Sequence, residues 1–405
     1  MTTTTTSVSA STTRRLLGGI QSDAVRHEAA HGPLPHLGLD ELLGLVEASG
    51  LTGRGGAGFP TSIKVRAVAS GVRRPVVVGN AMEGEPLSHK DAVLLDRSPH
   101  LVLDGLQVLA RALRARRAIL AVGPELNPGP AQEAARRRRG LEVAHLDGAF
   151  VSGQETALVN QLNGRRPVPR DPFTRVTESG VDGRPTLVLN AETLAQVALI
   201  ARHGADWFRS AGTADDPGTS LFTVSGAVGR PGVVEAARGS RLCDVLEATE
   251  PRRTAAVLVG GYHGAWVPAT HLDVRLTRSD LTPWNAAVGA GVLHVLDDRT
   301  CPLRFAAEVA DYLAGESAAQ CGPCINGLPQ MASDLHRIAA CVRDQRLPAA
   351  VARMAAQVKG RGACAHPDGT ARFVGSTLEV FRDHTAAHLQ GWCPTTMRPT
   401  PRGVS

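Results

Sequence analysis

The sequence predicts a Rossmann-like α/β layer, followed by a small strand-rich unit and then a helix bundle. Three observations carry this. Arg74-Pro75-Val76-Val77-Val78 and Ala118-Ile119-Leu120-Ala121-Val122 read as short buried strands on either side of an amphipathic segment over 101–117, a β-α-β crossover. Strand-like stretches then cluster between 218 and 296. From Pro302 onward apolar residues recur at helical spacing, with short polar breaks.

Taken in order, Met1 to Thr13 is almost entirely Thr and Ser with no apolar run behind it. It reads as a disordered tail, taken to run through residue 15, and not as a signal peptide. Leu39 to Val46 has helical spacing and leads into a glycine-rich loop. Gly148-Ala149-Phe150-Val151-Ser152-Gly153 is a glycine turn that opens a helix at Gln154-Glu155, whose first N–H groups suit an anion. Gly218 to Val228 alternates as a strand and breaks at Gly229-Arg230-Pro231-Gly232. With Ala255 to Gly261 and Gly289 to Leu296 it predicts the strand-rich unit. Helices are expected over Phe305 to Leu313, Leu328 to Val342 and Leu347 to Val358. The resulting divisions are a tail over 1–15, an α/β domain over 16–215, a strand-rich domain over 216–300, a helical domain over 301–395 and a tail over 396–405.

Composition narrows the function classes. A chain of 405 residues is long enough for roughly two or three cores. A net charge of +6, from 44 basic against 38 acidic residues, does not point to nucleic acid. Arg136-Arg137-Arg138-Arg139 reads as a solvated helix end, since no basic stripe with interleaved aromatics accompanies it. No stretch approaches the ~20 uninterrupted apolar residues that span a bilayer, so no direct membrane insertion is expected. The seven cysteines, an odd number without an export signal, suggest reduced thiols or metal ligands and a cytoplasmic location, with membrane contact arising through partners alone.

The chemistry begins at Gly53-Arg54-Gly55-Gly56-Ala57-Gly58-Phe59-Pro60-Thr61-Ser62-Ile63-Lys64. Closely spaced glycines let main-chain N–H groups approach an anion. Arg54 and Lys64 add positive charge on either side, and Phe59-Pro60 offers a rigid apolar plate. Gly79-Asn80-Ala81-Met82-Glu83-Gly84-Glu85-Pro86 is the polar turn at the carboxyl end of the first strand, where open α/β sheets bind ligands.

Together with Ser88-His89-Lys90-Asp91, these segments resemble the flavin-binding region of the NADH-dehydrogenase subunit of complex I, a family shared with NAD-linked hydrogenases and formate dehydrogenases. The resemblance continues through Gly148 to Gly164, Pro185 to Leu194, Gly218 to Val234 and Cys321 to Asp383. It implies FMN held by Gly53, Arg54, Gly55, Gly56, Ala57, Gly58, Lys64, Asn80, Glu83, Glu85, Glu155, Asn190 and Thr193, with the glycine loop and Lys64 on the phosphate. Glu85 and Glu155 would be the catalytic acids facing flavin and nicotinamide, and Phe59 and Phe173 resemble adenine-stacking positions. The strand-rich domain would be a β-grasp module. The implied function is hydride transfer from NADH or NADPH to FMN, then single electrons through an iron–sulfur cluster to a ferredoxin-like protein or another subunit of a redox complex. A docking subunit with vestigial sites is the alternative. The sequence departs from the family pattern at Met82, Val65, Ala67, Phe150 and Gln154, and of a usual asparagine pair it keeps Asn190.

The resemblance also aligns Cys321, Cys324 and Cys364 with three ligands of a [4Fe–4S] cluster, while Ala318 stands at the fourth. Alanine offers iron no donor. The open readings are a four-iron cluster completed by water, Cys341 or His366, a three-iron cluster, or no cluster. Cys243, Cys301 and Cys393 have no partners at ligand spacing and read as ordinary thiols.

Overall fold

The computed structural model describes residues 14–18, 23–170 and 173–395; the readings for Met1 to Thr13 and 396–405 lie outside them. Four parallel strands form the first sheet: β1 Val76–Ala81, β2 Arg117–Val122, β3 Leu141–His145 and β4 Thr186–Asn190, in the order β3-β2-β1-β4. Both faces are covered, which is why the strands read as continuous apolar runs. Val77, Leu120 and Leu187 pack beneath the helices Pro99–Ala112 and Ala191–Arg209, while Val78, Ile119 and Val188 face Leu158 and Val159 of the helix Glu155–Leu162. The chain steps outward from β1 to β3 and then returns to place β4 on the other side of β1. The crevice between β1 and β4 is therefore the switch point of the sheet, and Asn80 and Asn190 are register partners at its carboxyl edge.

The helix expected through residue 117 ends at Ala112. Arg114 takes a left-handed conformation (φ 48°), and the chain reverses there into β2.

The second sheet holds β5 Thr219–Gly226, β6 Gly232–Ala237, β7 Thr254–Val259, β8 Ala265–Pro268 and β9 Val292–Asp297, in the order β6-β5-β9-β7-β8. Its central pair β5/β9 is parallel and every other pair antiparallel, with the helix Leu242–Glu247 packed on one face, the β-grasp layout that the resemblance implied. Helices Pro302–Gly315, Leu328–Ala339, Leu347–Val358, His366–Val380 and Arg382–Leu389 form the bundle.

Trp266 on β8 joins sheet to bundle. It is fully buried, its ring lies 5.6 Å from Phe305 and 5.4 Å from Phe381, and its indole N–H donates to Thr377 Oγ1 at 3.0 Å.

Two readings from composition are corrected. Arg15, assigned to the tail, is anchored: its guanidinium donates to Phe208 O at 2.8 Å and stacks 4.1 Å over Trp207, while the buried Glu235 carboxylate accepts the N–H groups of Arg15, Leu16 and Leu17. Arg138, read as part of a solvated run, is drawn inward by Asp104, which also pairs with His27 and Arg202. A buried carboxylate needs cationic or hydrogen-bonding partners, and this one recruits two arginines and a histidine from three distant segments.

Replacing Trp266 with alanine should destabilise the chain by about 3–5 kcal/mol. Phe59→Ala, at a half-exposed ring, should stay within about 0.5 kcal/mol. Urea unfolding of the two variants checks the contrast.

Candidate functional site

The glycine loop is a closed excursion on the sheet edge. Thr52 and Pro60 form an isolated antiparallel bridge, Gly53 N–H donates to Phe59 O at 2.9 Å, and Thr61 N–H donates to Leu51 O at 3.0 Å. Gly55, Gly56 and Ala57 are exposed, with Gly56 (φ 111°) and Gly58 (φ 61°) in backbone conformations that favour glycine. The loop lies on Asn190: a Cβ at Gly55 would come within 3.2 Å of the Asn190 Cβ.

Arg54 does not flank the loop with an outward charge. Its side chain is buried, its Nη1 donates to Thr52 O at 2.9 Å, and its Nη2 reaches Pro217 O and Thr219 O at the entrance to the second sheet. Burial lowers its pKa to about 10, which leaves it charged. Its backbone N–H donates to Thr193 Oγ1 at 2.9 Å, so these two predicted residues fasten the loop from below.

Beneath the loop lies a buried charged node centred on Lys90, a residue outside the predicted site. Lys90 Nζ sits 2.8 Å from Asp91 Oδ1, 3.0 Å from Asn190 Oδ1 and 3.2 Å from Glu192 Oε2. Asn190 Nδ2 donates to Asp91 Oδ2 at 2.7 Å. Glu192 Oε1 accepts Leu221 N–H from β5 at 3.0 Å and lies 4.0 Å from Arg54 Nε. Burial alone would push the Lys90 pKa down, but the charges of Asp91 and Glu192 hold it above the ordinary lysine value. The available signal was a Lys-Asp pair directly after the polar turn, where charge must be buried in compensating pairs.

The predicted acids separate. Glu83, in a left-handed conformation (φ 41°), turns away from the loop: it accepts Asp91 N–H and Ala92 N–H at 2.9 Å each and the Ser88 hydroxyl at 2.7 Å, at the start of the helix Lys90–Arg97. Glu85 accepts Tyr262 N–H at 2.9 Å, and a Cβ on Gly261 would sit 2.5 Å from that carboxylate, so the approach requires glycine. Burial raises both carboxyls to about 7, helped at Glu83 by the charge of Asp91. Glu155 pairs with Lys64 Nζ at 2.8 Å, and the same amine donates to Val188 O at 2.9 Å. Asn80 Nδ2 donates to Gly153 O at 2.8 Å. Lys64, Glu155, Asn80 and Asn190 thus gather at the carboxyl ends of β1 and β4. Phe59 and Phe173 stay at the surface.

Several departures from the family pattern acquire a physical meaning. Met82 and Val65 are buried in apolar clusters, so neither side chain faces a nucleotide; Ala67 is exposed. Gln154 Oε1 accepts Thr156 N–H at 2.8 Å and Ala157 N–H at 3.0 Å and serves as a helix cap. Phe150 packs edge-on to His263 with centroids 4.8 Å apart.

The loop fits an anionic flavin nucleotide on one further observation. Thr61 Oγ1, at the N-terminus of the helix Thr61–Ala69, is buried without a hydrogen-bond partner, beside exposed glycines and under a helix dipole that favours a phosphate.

At the bundle, a single π-helical turn, Pro323–Gly327, carries Cys324, which is buried; Cys321 and Cys364, forty residues away in sequence, both act on its thiol, which burial first and then these neighbours push up to about 12. The three aligned thiols therefore influence one another electrostatically. The substitutes considered for the missing donor are committed elsewhere. His366 Nε2 is 2.8 Å from Leu313 O and its Nδ1 is 3.1 Å from His263 Nε2, while Cys341 lies beside Cys301 and Cys393.

Comparison with known proteins agrees with this geometry. Residues 46–199 match the model of the Nuo51 FMN-binding domain, and residues 304–388 match that of the NADH-ubiquinone oxidoreductase-F iron-sulfur binding region. The chain is 33% identical over 397 residues to the NADH-quinone oxidoreductase F subunit of Streptomyces coelicolor, covering 91% of this chain and 88% of that protein. It is 30% identical over 376 residues to the NADP-reducing hydrogenase subunit HndC of Solidesulfovibrio fructosivorans, covering 86% and 76%. A crystal structure of NAD+-reducing [NiFe]-hydrogenase in the air-oxidized state superposes with a TM-score of 0.85 at 34% identity, over 96% of this chain and 68% of that one.

Two outcomes follow from the geometry. Lys90→Met leaves Asp91 and Glu192 buried without their cation and should cost about 3–5 kcal/mol in urea unfolding. Glu85, whose pKa rises from 4.5 to about 7 on folding, favours the folded state when protonated. That contribution is complete below about pH 4.5, declines as pH rises, and is gone above about pH 7. Glu85→Gln should therefore flatten the fall in melting temperature across this window; an unchanged slope would show that Glu85 titrates normally.

Proposed function

We propose, from the premise that this chain belongs to the family of NADH-quinone oxidoreductase F subunits, that its glycine loop and switch-point asparagines hold the FMN of a NAD(P)H-oxidising electron-transfer flavoprotein. Bound FMN supplies the chemistry, taking a hydride as an electron pair and releasing electrons one at a time to an iron–sulfur cluster. The chain's own part is to bind, orient and tune.

The observation that carries the reading is the convergence on one crevice of the exposed glycine loop, the unpartnered Thr61 hydroxyl, Lys64, and the opposed Asn80 and Asn190. Gly53 to Gly58 and Thr61 would take the phosphate. Lys64 is engaged by Glu155, so it would reach the ligand as half of an ion pair, with Glu155 held at the helix N-terminus beside it. Arg54, Glu83 and Thr193 act from below: they fix the loop and the Lys90–Arg97 helix through hydrogen bonds to protein partners. Glu85, raised by burial to about 7, would place less negative charge beside an incoming reduced nicotinamide than an ordinary carboxylate does. Phe59 and Phe173 would offer surface rings to the adenine.

Cys321, Cys324 and Cys364 would hold the cluster with its fourth corner open to water, or a three-iron form, because the two side-chain substitutes are already occupied. The electron acceptor would be a ferredoxin-like protein or another subunit of a redox complex, in keeping with relatives named as subunits. No helix among the described residues is long and apolar enough to cross a membrane, and none of the seven cysteines is joined in a disulfide. Both facts support a cytoplasmic location, peripheral to a membrane through partners.

Heat denaturation of gently purified chain should release FMN, and mixing the intact protein anaerobically with NADH or NADPH should bleach the flavin absorbance. Failure to bleach at millimolar nucleotide would remove the dehydrogenase reading, and failure to release or take up FMN would remove the flavin site itself. Thr61→Ala should weaken FMN binding by about 1–3 kcal/mol in a fluorescence titration, the worth of a hydrogen bond to a charged group.

A further inference from the structure

A third set of ligand-type side chains lies apart from the flavin crevice and from Cys321, Cys324 and Cys364. Cys301 immediately precedes the helix Pro302–Gly315, His388 is in the last turn of Arg382–Leu389, and Cys393 follows four residues after that helix ends. All three are buried, and their ligand atoms lie within 4.8 Å of one another. Spacing in sequence hid the set: Cys301 is separated from the other two by most of the bundle, and the helix packing brings them together.

The histidine is oriented as a metal ligand. His388 Nδ1 is 2.9 Å from Ile338 O, and a carbonyl can only accept, so in the neutral ring the proton sits on Nδ1. The lone pair on Nε2 then faces Cys301 Sγ, 3.6 Å away. A carbonyl that fixes the tautomer from behind is the usual outer partner of a metal-bound imidazole.

A further thiol comes from Cys341, two residues past the helix Leu328–Ala339, which packs partly buried against the apolar cluster holding Cys301 and Cys393. Its backbone N–H donates at 2.9 Å to Ile338 O, the carbonyl that holds His388. Its backbone is left-handed (φ 60°), an unfavourable conformation for a residue with a Cβ. The helix expected to continue through Val342 stops there for this reason.

We propose that Cys301, Cys341, His388 and Cys393 form a structural zinc site that clamps the C-terminal segment to the ends of two other bundle helices. Three thiolates and one imidazole, with Cys301, His388 and Cys393 buried and Cys341 half-buried, suit tetrahedral zinc rather than a hard cation. Binding releases the thiol protons and involves no electron transfer. The site stands independently of the flavin reading, since it uses none of the same residues.

The full-length chain, purified under reducing conditions, should carry about one zinc per chain by plasma mass spectrometry, with X-ray absorption showing about three sulfurs near 2.3 Å and one nitrogen near 2.0 Å. Cys393→Ser and His388→Ala should each lower the zinc content to about a tenth or less, whereas a chain lacking the thiols of Cys321, Cys324 and Cys364 should keep it. Cobalt(II) added to chelator-stripped wild type should give tetrahedral bands with thiolate charge transfer, and Cys341→Ser should shift those bands even if the other variants fail to fold. Zinc absent from the wild type, zinc lost with the Cys321 group instead, or a Cys301–Cys393 disulfide in the reduced preparation would each overturn the proposal.

Discussion

The architecture depends on the burial of Lys90. A single ammonium, taken out of water at the edge of the first sheet, requires the carboxylates of Asp91 and Glu192 and the amide oxygen of Asn190 around it. Each of these groups has a second task. Asp91 secures the Asn190 amide, Asn190 supports the glycine loop, and Glu192 takes a backbone N–H of β5. One compensated charge thereby fixes the relative positions of the loop, the switch point and the second sheet. Such a node contributes little net stability compared with apolar packing, but removing any member exposes the others as unpaired buried charges.

Rigidity of this kind is what hydride and electron transfer ask of a protein. No side chain need form a covalent bond; the reacting atoms must be held in place and the local charge controlled. The residues nearest the loop accordingly divide into a small exposed set and a larger set spent on holding it. Arg54 shows the division most clearly. Its backbone belongs to the loop, yet its guanidinium reaches under it to Pro217 and Thr219 and ties loop to second sheet.

How much of this was legible in the sequence follows from which interactions are local. Val76 to Val78 and Ala118 to Val122 declared their strands because burial on both faces demands unbroken apolar runs. Leu141-Glu142-Val143-Ala144-His145, a partly exposed edge strand, and the four-residue β8 carry no such pattern. The glycine loop was recognisable because its conformation requires particular residues at particular positions. The directions of Arg54 and Glu83 were not, since a charged side chain goes wherever its partners are, and those partners are set by tertiary packing. Cys301, His388 and Cys393 were invisible as a group for the same reason. Conversely, Met82 and Val65, two departures from the family pattern, are buried core residues.

The contact between the flavin crevice and the cluster segment is built largely from aromatic and imidazole rings. Glu85 meets the backbone of Tyr262, whose ring lies 5.6 Å from that of Tyr312. Phe150 packs on His263, and the His263 and His366 rings are 5.0 Å apart, two residues from Cys364. Burial lowers the His263 pKa to about 3, reinforced by His366 and Arg372, and burial also lowers that of His366. The His263 ring therefore remains uncharged across the physiological range. Were either to protonate, a cation would appear between the two redox segments and repel its neighbour. With both neutral, a hydrogen bond of 3.1 Å can join them, and Gly369, where a Cβ would approach the His263 ring to 2.3 Å, lets the helix His366–Val380 close onto that pair. The spacing between crevice and cluster segment is then set by packed rings and one glycine.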